Sequence, residues 1–364
     1  MIRKKWLWAA LTLLFFSAFA ESEARTVHLR AVGDLMVHQK QLDLARQPDG
    51  SYDFHDQYAL IAPSLAAADY TIANLQTTLG LSGGKPYSGY PRFNSPETLL
   101  DTLRDAGVDF LTLANNHMLD RFEDGLKKTV KWVDRYGFDH AGAHRNKSEK
   151  NAPVTAKVNG VTLGFLSYTE STNGKEEKCS EKVVKYGINY LKNADFAADV
   201  KRLRAAGAEI VIVLPHWGHE YEFTPGDDQI STAKAMIAAG VDVILGSHPH
   251  VVQPVEIVRA GGRTGLVAYS LGNFISNMSQ PGTDCGIILD LVLREKDAGG
   301  FQIDTVAAVP VFCWNREDRL QVIPAGRYDL QPPEGMSGQD FERMRKSTRA
   351  LRKLLDERVL FMLE

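Results

Sequence analysis

Cysteine is scarce, charge is nearly balanced and, past the first two dozen residues, no apolar run is long enough to cross a bilayer. Three cysteines (Cys179, Cys285, Cys313) cannot staple a disulfide-built scaffold, and in an oxidising compartment at least one thiol must stay unpaired. A formal charge of -3, from 42 Lys and Arg against 45 Asp and Glu, offers no bulk attraction to polyanions or membrane surfaces. With no dense basic tract beyond the leader, nucleic acid is not an expected partner. A repeat period is also missing: the similar stretches at 103–109, 203–209 and 237–242 are each a helix end, a glycine stop and a strand start, not a solenoid unit.

What the chain does have begins with Arg3, Lys4 and Lys5, an apolar run over 6–16 and then Ser17-Ala18-Phe19-Ala20, the order of a secretory leader cleaved after Ala20 or, through Ser22-Glu23-Ala24, after residue 24. An uncleaved membrane anchor is the alternative, although the run over 6–20 is shorter than the ~20 apolar residues of a spanning helix. The expected location is therefore outside the cytoplasm, periplasmic or extracellular, free or held by its N-terminal segment. Without the leader, about 340 of the 364 residues remain, enough for one large domain with appendages or two closely packed lobes.

Short β-rich runs at 26–33, 69–74, 109–114, 161–168, 209–215 and 241–246 alternate with amphipathic stretches at 56–67, 96–106, 122–136, 193–206 and 227–239, the grammar of βα units around a largely parallel sheet. Gly107, Gly207 and Gly240 stand where helix C-caps are needed. After residue 250, strand-like runs at 251–259, 265–270, 285–294 and 301–311 read as antiparallel. Residues 171–187 are polar and aperiodic, a surface loop or insertion. A terminal helix is expected over 338–361, burying Phe341, Met344, Leu351, Leu354, Leu355 and Val359.

The residues able to do chemistry follow the expected strands, where open α/β sheets form their ligand crevice. Asp34 closes the first run, Gln76 follows the second, Asn115-Asn116-His117 the third, His216 the fifth and Gly246-Ser247-His248-Pro249-His250 the sixth. Pro249 excludes helix and biases His248 to extended backbone, on which residues two apart face one way, so two imidazoles could meet one centre. Neutral imidazole suits Zn, Mn, Fe, Ni or Cu better than Ca or Mg. Asp34 would add an anionic oxygen, Asn116 an amide oxygen, and His117 a proton for a leaving oxygen. His219 and Glu220 read more simply as solvated groups. His28, His38, His55, His140 and His144 have no partner at an informative spacing, and the ordinary surface or hydrogen-bonded role is expected for them.

Six ordered blocks then carry a resemblance: Val32-Gly33-Asp34, Ala73-Asn74-Leu75, Leu113-Ala114-Asn115-Asn116-His117 with Asp120 and Gly125, His216-Trp217-Gly218 with Glu220, Gly246 to His250 as above, and Tyr269-Ser270-Leu271-Gly272-Asn273-Phe274. Over about residues 26–275 the chain resembles the CapA-like poly-gamma-glutamate capsule biosynthesis family of the calcineurin-like metallophosphoesterase superfamily. The resemblance implies a four-layer αββα sandwich over 26–312 with a C-terminal extension over 313–364. It implies Asp34, Asn116, His216, His248 and His250 as metal ligands, with His117 and Asp120 at the reacting group and Asn273 lining the cleft or holding its turn. The chain departs from the pattern at Gln76, where the family usually writes glutamate. A bridging carboxylate is lost, so one tightly held divalent metal (Mn, Zn or Fe) and a weaker second are expected. The implied activity is hydrolysis of a phosphate-containing or anionic envelope substrate. The rival is a non-catalytic, metal-stabilised accessory protein that binds an anionic envelope polymer or its membrane-bound synthase. A plain solute-binding protein would need two comparable lobes, which the one-sided ligands do not suggest.

Overall fold

The computed structural model describes residues 24–80 and 86–362; the leader read in residues 1–20 lies outside them. The chain runs β1 (Thr26–Leu35), α1 (Gln39–Ala45), α2 (His55–Tyr58), α3 (Ala62–Leu65), β2 (Tyr70–Leu75), α4 (Leu99–Asp105), β3 (Phe110–Thr112), α5 (Phe122–Arg135), β4 (Asp139–Ala141) and α6 (Lys147–Asn151). It continues through β5 (Val154–Val158), β6 (Val161–Thr169), α7 (Glu181–Tyr186), α8 (Phe196–Ala205), β7 (Ile210–His216), α9 (Asp227–Ala239) and β8 (Val243–Leu245). Then come β9 (Val255–Ala260), β10 (Arg263–Ala268), β11 (Asn273–Ile275), β12 (Cys285–Glu295), β13 (Phe301–Arg316), β14 (Arg319–Pro324), α10 (Gly338–Leu351) and β15 (Leu360–Phe361).

These strands make two sheets. One is ordered β14-β13-β12-β1-β2-β3-β4, with β11 beside β1 and β15 beside β13; the other is ordered β5-β6-β7-β8-β10-β9. Strand alternation divides their side chains between layers. In β7, Ile210, Ile212 and Leu214 face the core between the sheets, where they join Val27, Leu29, Ile72 and Phe110 of the first sheet. Val211 and Val213 face outward onto Val200 and Leu203 of α8 and Ala233 and Ile237 of α9. On the far side of the first sheet, Leu99, Leu103, Leu126 and Val130 of α4 and α5 pack on Leu75 and Leu111. Helix, sheet, sheet, helix is thus the order of layers.

β1 to β4 are mutually parallel, and so are β6, β7 and β8, whereas β12, β13 and β14 are antiparallel. Glycine caps appear as expected, with positive φ at Gly107 (90°), Gly207 (94°) and Gly240 (110°). Two helices depart from the sequence reading. The stretch 56–67 is broken into α2 and α3 because Pro63, near the start of α3, cannot donate the amide a continuous helix requires. The terminal helix stops at Leu351 because the following residues are drawn into the sheets: Leu355 bridges Val255, and β15 pairs with β13. The apolar stripe is buried all the same, with Met344, Leu351 and Val359 in the core between the sheets and Phe341, Leu354 and Leu355 packed against it. The aperiodic stretch 171–187 contains a short 3-10 turn (Lys175–Lys178) and α7. Among the described residues all three cysteines are free. Cys285 faces the core between the sheets and Cys313 the helix side of the same sheet, so alternation keeps these two apart.

Candidate metal centre

The carboxyl ends of β1, β2, β3, β7 and β8 open at the same end of the gap between the sheets. A bulge aims the first of their side chains. β1 pairs β2 with Val32 opposite Ala73 and Asp34 opposite Asn74, which leaves Gly33 as an extra residue. Val32 and Leu35 both belong to the helix-side core although they are three apart. In a regular strand an odd spacing puts residues on opposite faces, so the bulge reconciles them and turns Asp34 toward the second sheet. Glycine is needed there, because a Cβ on Gly33 would lie 1.9 Å from the Gly272 carbonyl oxygen. Asp34 is fully buried. Its Oδ1 accepts from Asn74 Nδ2 at 2.7 Å, and its Oδ2 lies 3.0 Å from His250 Nδ1 and 3.4 Å from the His248 backbone nitrogen.

From the second sheet, His216 closes β7 with its Nε2 3.1 Å from Asn116 Oδ1 and 3.4 Å from Gln76 Nε2. Gln76 Nε2 also donates to Asn116 Oδ1 at 2.9 Å. Ser247 Oγ holds His216 Nδ1 at 2.9 Å. His248 stacks obliquely on His216, ring centroids 4.7 Å apart, and is 6.0 Å from His250. The two imidazoles after β8 converge, but not along an extended segment as the sequence suggested. His248 has φ 103° and His250 φ 61°, because the chain must turn there while Ser247 and Pro249 bond to the Pro215 carbonyl and the Tyr221 amide. Positive φ at two non-glycine residues costs energy, and such residues gather at functional sites. Gly246 precedes them because a Cβ there would meet the Tyr269 carbonyl oxygen at 2.0 Å. Asn273 does both things proposed for it: its Oδ1 is 2.9 Å from His250 Nδ1, and its Nδ2 donates to Ser276 Oγ and the Thr283 carbonyl, each at 3.0 Å.

Burial, reinforced by the neighbouring imidazoles, holds His216 well below the usual imidazole pKa and His248 at about 4. Burial opposes charge on His250 too, but the hydrogen bond and negative charge of Asp34 outweigh it and raise its pKa. The ligand atoms of Glu220, His248 and His250 lie within 4.8 Å of one another, so exposed Glu220 joins the group. His219 is exposed and its charge acts on Glu170.

Beside this cluster His117 Nδ1 lies 2.7 Å from Oδ2 of fully buried Asp120. The Phe93 amide donates to the same oxygen at 2.8 Å, and Lys175 Nζ stands 3.8 Å from Oδ1. The carboxylate keeps a proton on Nδ1 and leaves Nε2 as the ring's outward atom. Sequence reading missed His38. Its ring meets Phe93 edge-on at 5.3 Å, Phe93 meets His117 edge-on at 4.7 Å, and His250 and His117 both depress its protonation. No spacing signal marks it, since the start of α1 delivers it rather than a strand end.

Whether these residues suit a divalent ion is answered by their unpaired atoms. His248 Nδ1 and Gln76 Oε1 are buried with no hydrogen-bond partner among the described residues. Buried polar atoms are ordinarily paired, and leaving one unpaired costs about 1–3 kcal/mol. Neutral imidazole nitrogens, an amide oxygen and one or two carboxylates are a suitable donor set for Mn, Zn or Fe.

The bacterial capsule synthesis protein model PGA_cap matches residues 28–278. The chain is 30% identical over 281 residues to the capsule biosynthesis protein CapA of Bacillus anthracis, covering 76% of this chain and 65% of that protein, so it spans just under two thirds of that relative. It is 28% identical over 277 residues to the PGA biosynthesis protein CapA of Bacillus subtilis, covering 76% of this chain and 70% of that one. A probable polyglutamine synthesis accessory protein of Mycobacterium tuberculosis is 29% identical over 217 residues, 55% of each chain. Among solved structures, the calcineurin-like phosphoesterase YfkN of Bacillus subtilis aligns with TM-score 0.47 and 14% identity over 91% of this chain and 97% of its own. The NAD nucleotidase of Haemophilus influenzae aligns with TM-score 0.46 and 11% identity over 94% and 58%.

Proposed function

Because the chain belongs to the bacterial capsule synthesis protein family PGA_cap, we propose that it is an exported, metal-dependent phosphoesterase serving the assembly of an anionic cell-envelope polymer. One observation carries the reading: Asp34, Asn116, His216, His248 and His250 come together from both sheets beside the His117–Asp120 pair. Those five residues would hold the ion, with Glu220 in reach. A divalent ion there supplies Lewis acidity toward phosphoryl oxygens and makes water a stronger acid. The chain's own groups do the rest. Asn74 and Asn273 fix Asp34 and His250, Ser247 fixes His216, and Asp120 orients His117 so that Nε2 can give a proton to a departing oxygen. Tyr90 and Tyr221, with ring centroids 6.5 Å from His117 and 6.3 Å from His250, wall the cleft.

Gln76 limits the charge the site can carry. Two divalent ions held by Asp34 alone would leave about +3, or about +2 with Glu220, in a mostly buried pocket where unpaired charge is costly. One tight ion and a weaker second, filled with an accompanying anion, is the reading we adopt. Export is supported by the order of residues 1–20, basic residues, an apolar run and small residues, which is that of a secretory leader. The substrate class is a phosphate-containing or anionic envelope molecule, and a membrane-bound polymer synthase is the partner in view.

Gln76 also favours a second reading, a metal-stabilised accessory protein that binds polymer or synthase without cleaving anything. Purified protein supplied with Mn, Zn or Fe, offered a panel of phosphate mono- and diesters, separates the two. Hydrolysis lowered about 100-fold or more by His117→Asn, and abolished by His248→Ala, supports the enzyme. Bound metal without hydrolysis of any ester turns the case to the accessory role. No hydrolysis, with His248→Ala and His250→Ala leaving metal content unchanged, rejects both.

A further inference from the structure

Tyr90 is 71% exposed, whereas Phe93, three residues on, is fully buried against the rings of His38 and His117. A single exposed ring is ordinary on a protein surface. The place of this one is not: its centroid lies 6.5 Å from that of His117 and 6.3 Å from that of Phe93, edge-on to both.

The loop that carries Tyr90 is tied down. Ser88 and Asn94 exchange backbone hydrogen bonds at 3.0 and 2.8 Å, which closes residues 88–94 on themselves, and Ser88 Oγ donates to the Arg92 carbonyl at 2.8 Å. Arg92 Nε and Nη2 donate to the Asp120 carbonyl at 2.9 and 2.8 Å, and the Phe93 amide donates to the Asp120 carboxylate. Gly89 packs so closely on the start of α1 that a Cβ there would run into the Gln39 backbone. Asp120 therefore holds His117 through its carboxylate and the Tyr90 loop through both carboxylate and carbonyl, so the tyrosine keeps its place against the imidazole. A ring fixed before binding loses little freedom when it makes a contact.

In the phosphoesterase reading above, His117 Nε2 gives a proton to the departing ester oxygen, which must come within about 3 Å of it. The group attached to that oxygen begins one bond further out, in reach of the Tyr90 ring. A single exposed ring offers one flat apolar face, which suits the face of another ring better than a long aliphatic chain. Tyr221 stands instead beside His250 of the ion-binding group, with its backbone at φ 70° and its amide donating to the Pro249 carbonyl at 2.8 Å.

We propose that Tyr90 forms the leaving-group subsite of this cleft, packing its ring against a ring-bearing alcohol, of sugar or aromatic type, esterified to the phosphate that the ion holds. The subsite rests on the phosphoesterase reading and decides which ester is accepted. Tyr90 binds and positions; it transfers no proton.

The test is titration calorimetry of the full chain loaded with Mn(II), using ethylphosphonate and benzylphosphonate, in which a methylene replaces the ester oxygen so that neither is hydrolysed. Wild type should bind benzylphosphonate about tenfold more tightly than ethylphosphonate. Tyr90→Ala should lose that preference while keeping the metal content, the melting temperature and the affinity for ethylphosphonate; Tyr90→Phe should retain the preference. Cyclohexylmethylphosphonate bound as tightly as benzylphosphonate supports a subsite for saturated rings of sugar type, and weaker binding supports one for planar rings. Equal affinity of wild type for ethyl- and benzylphosphonate, a preference that survives Tyr90→Ala, or one abolished by Tyr221→Ala in its place overturns the proposal and leaves the metal centre standing. Ring preference in a protein that hydrolyses no ester removes the catalytic reading and leaves the subsite. Wild type that binds neither Mn(II) nor phosphonate overturns both.

Discussion

Gln76 is the residue on which the charge of the cleft turns. Its Nε2 is engaged by Asn116 at 2.9 Å, while its Oε1 is buried and unpaired among the described residues. Glu in its place puts a second carboxylate between Asn116 and His216. Gln76→Glu should therefore raise tightly bound metal from about one to about two per chain by elemental analysis, and an unchanged stoichiometry contradicts the charge argument. Most residues of the site were legible because each sits where a strand ends, the one place sequence pattern can locate. His216, the last residue of β7, needed nothing more. The angle at which His248 and His250 meet was not legible, because positive φ is imposed by bonds from β7 and the 221 loop that no local pattern announces. His38 was invisible for a related reason: its neighbours Phe93, His117 and Asn277 are remote in sequence and share no spacing with it.

At the scale of elements, β1 carries most of the design. Its bulge at Gly33 moves Asp34 from the helix side to the cleft, and the close approach of Gly272 forbids any side chain there. Gly33→Ala should lower stability by more than about 3 kcal/mol in urea unfolding and lower metal content with it, since either Gly272 or the bulge must give way. A variant with full stability and full metal would show that the bulge does not aim Asp34. Strand positions were readable from short β-rich apolar runs, as β6 and β7 show, but the bulge was not, because Val32 to Leu35 reads equally well as a regular strand. The end of α10 was misread for the opposite reason: local helical pattern continues to residue 361, and pairing of Leu355 with Val255 and of β15 with β13 outweighs it.

For the whole molecule, four layers bring two sheets' strand ends together, and that arrangement ties stability to pH. Burial holds His144 at about 4, and His38 and His248 likewise, against an unfolded value near 6.5. A depressed pKa contributes its stability in full above 6.5; as pH falls, the unfolded chain takes protons first and the contribution is lost by about pH 4. For His144 alone the loss is about 3 kcal/mol, offset in part by His250 and His55, whose raised values act in reverse. Urea midpoints should fall from pH 7 to pH 5 in metal-free protein, less steeply in His144→Gln; a flat profile would contradict buried neutral imidazoles. The layer order itself was legible only through ordered motifs, since alternation yields strands but not which sheet each joins. What unites residue, element and molecule is the proposal that both sheets grip one cation, and elemental analysis combined with thermal melting tests it most directly. About one tightly bound divalent ion per chain is expected, with chelator lowering the melting temperature by several degrees and Mn or Zn restoring it. Protein purified free of ions, melting identically with chelator, Mn or Zn, would contradict it.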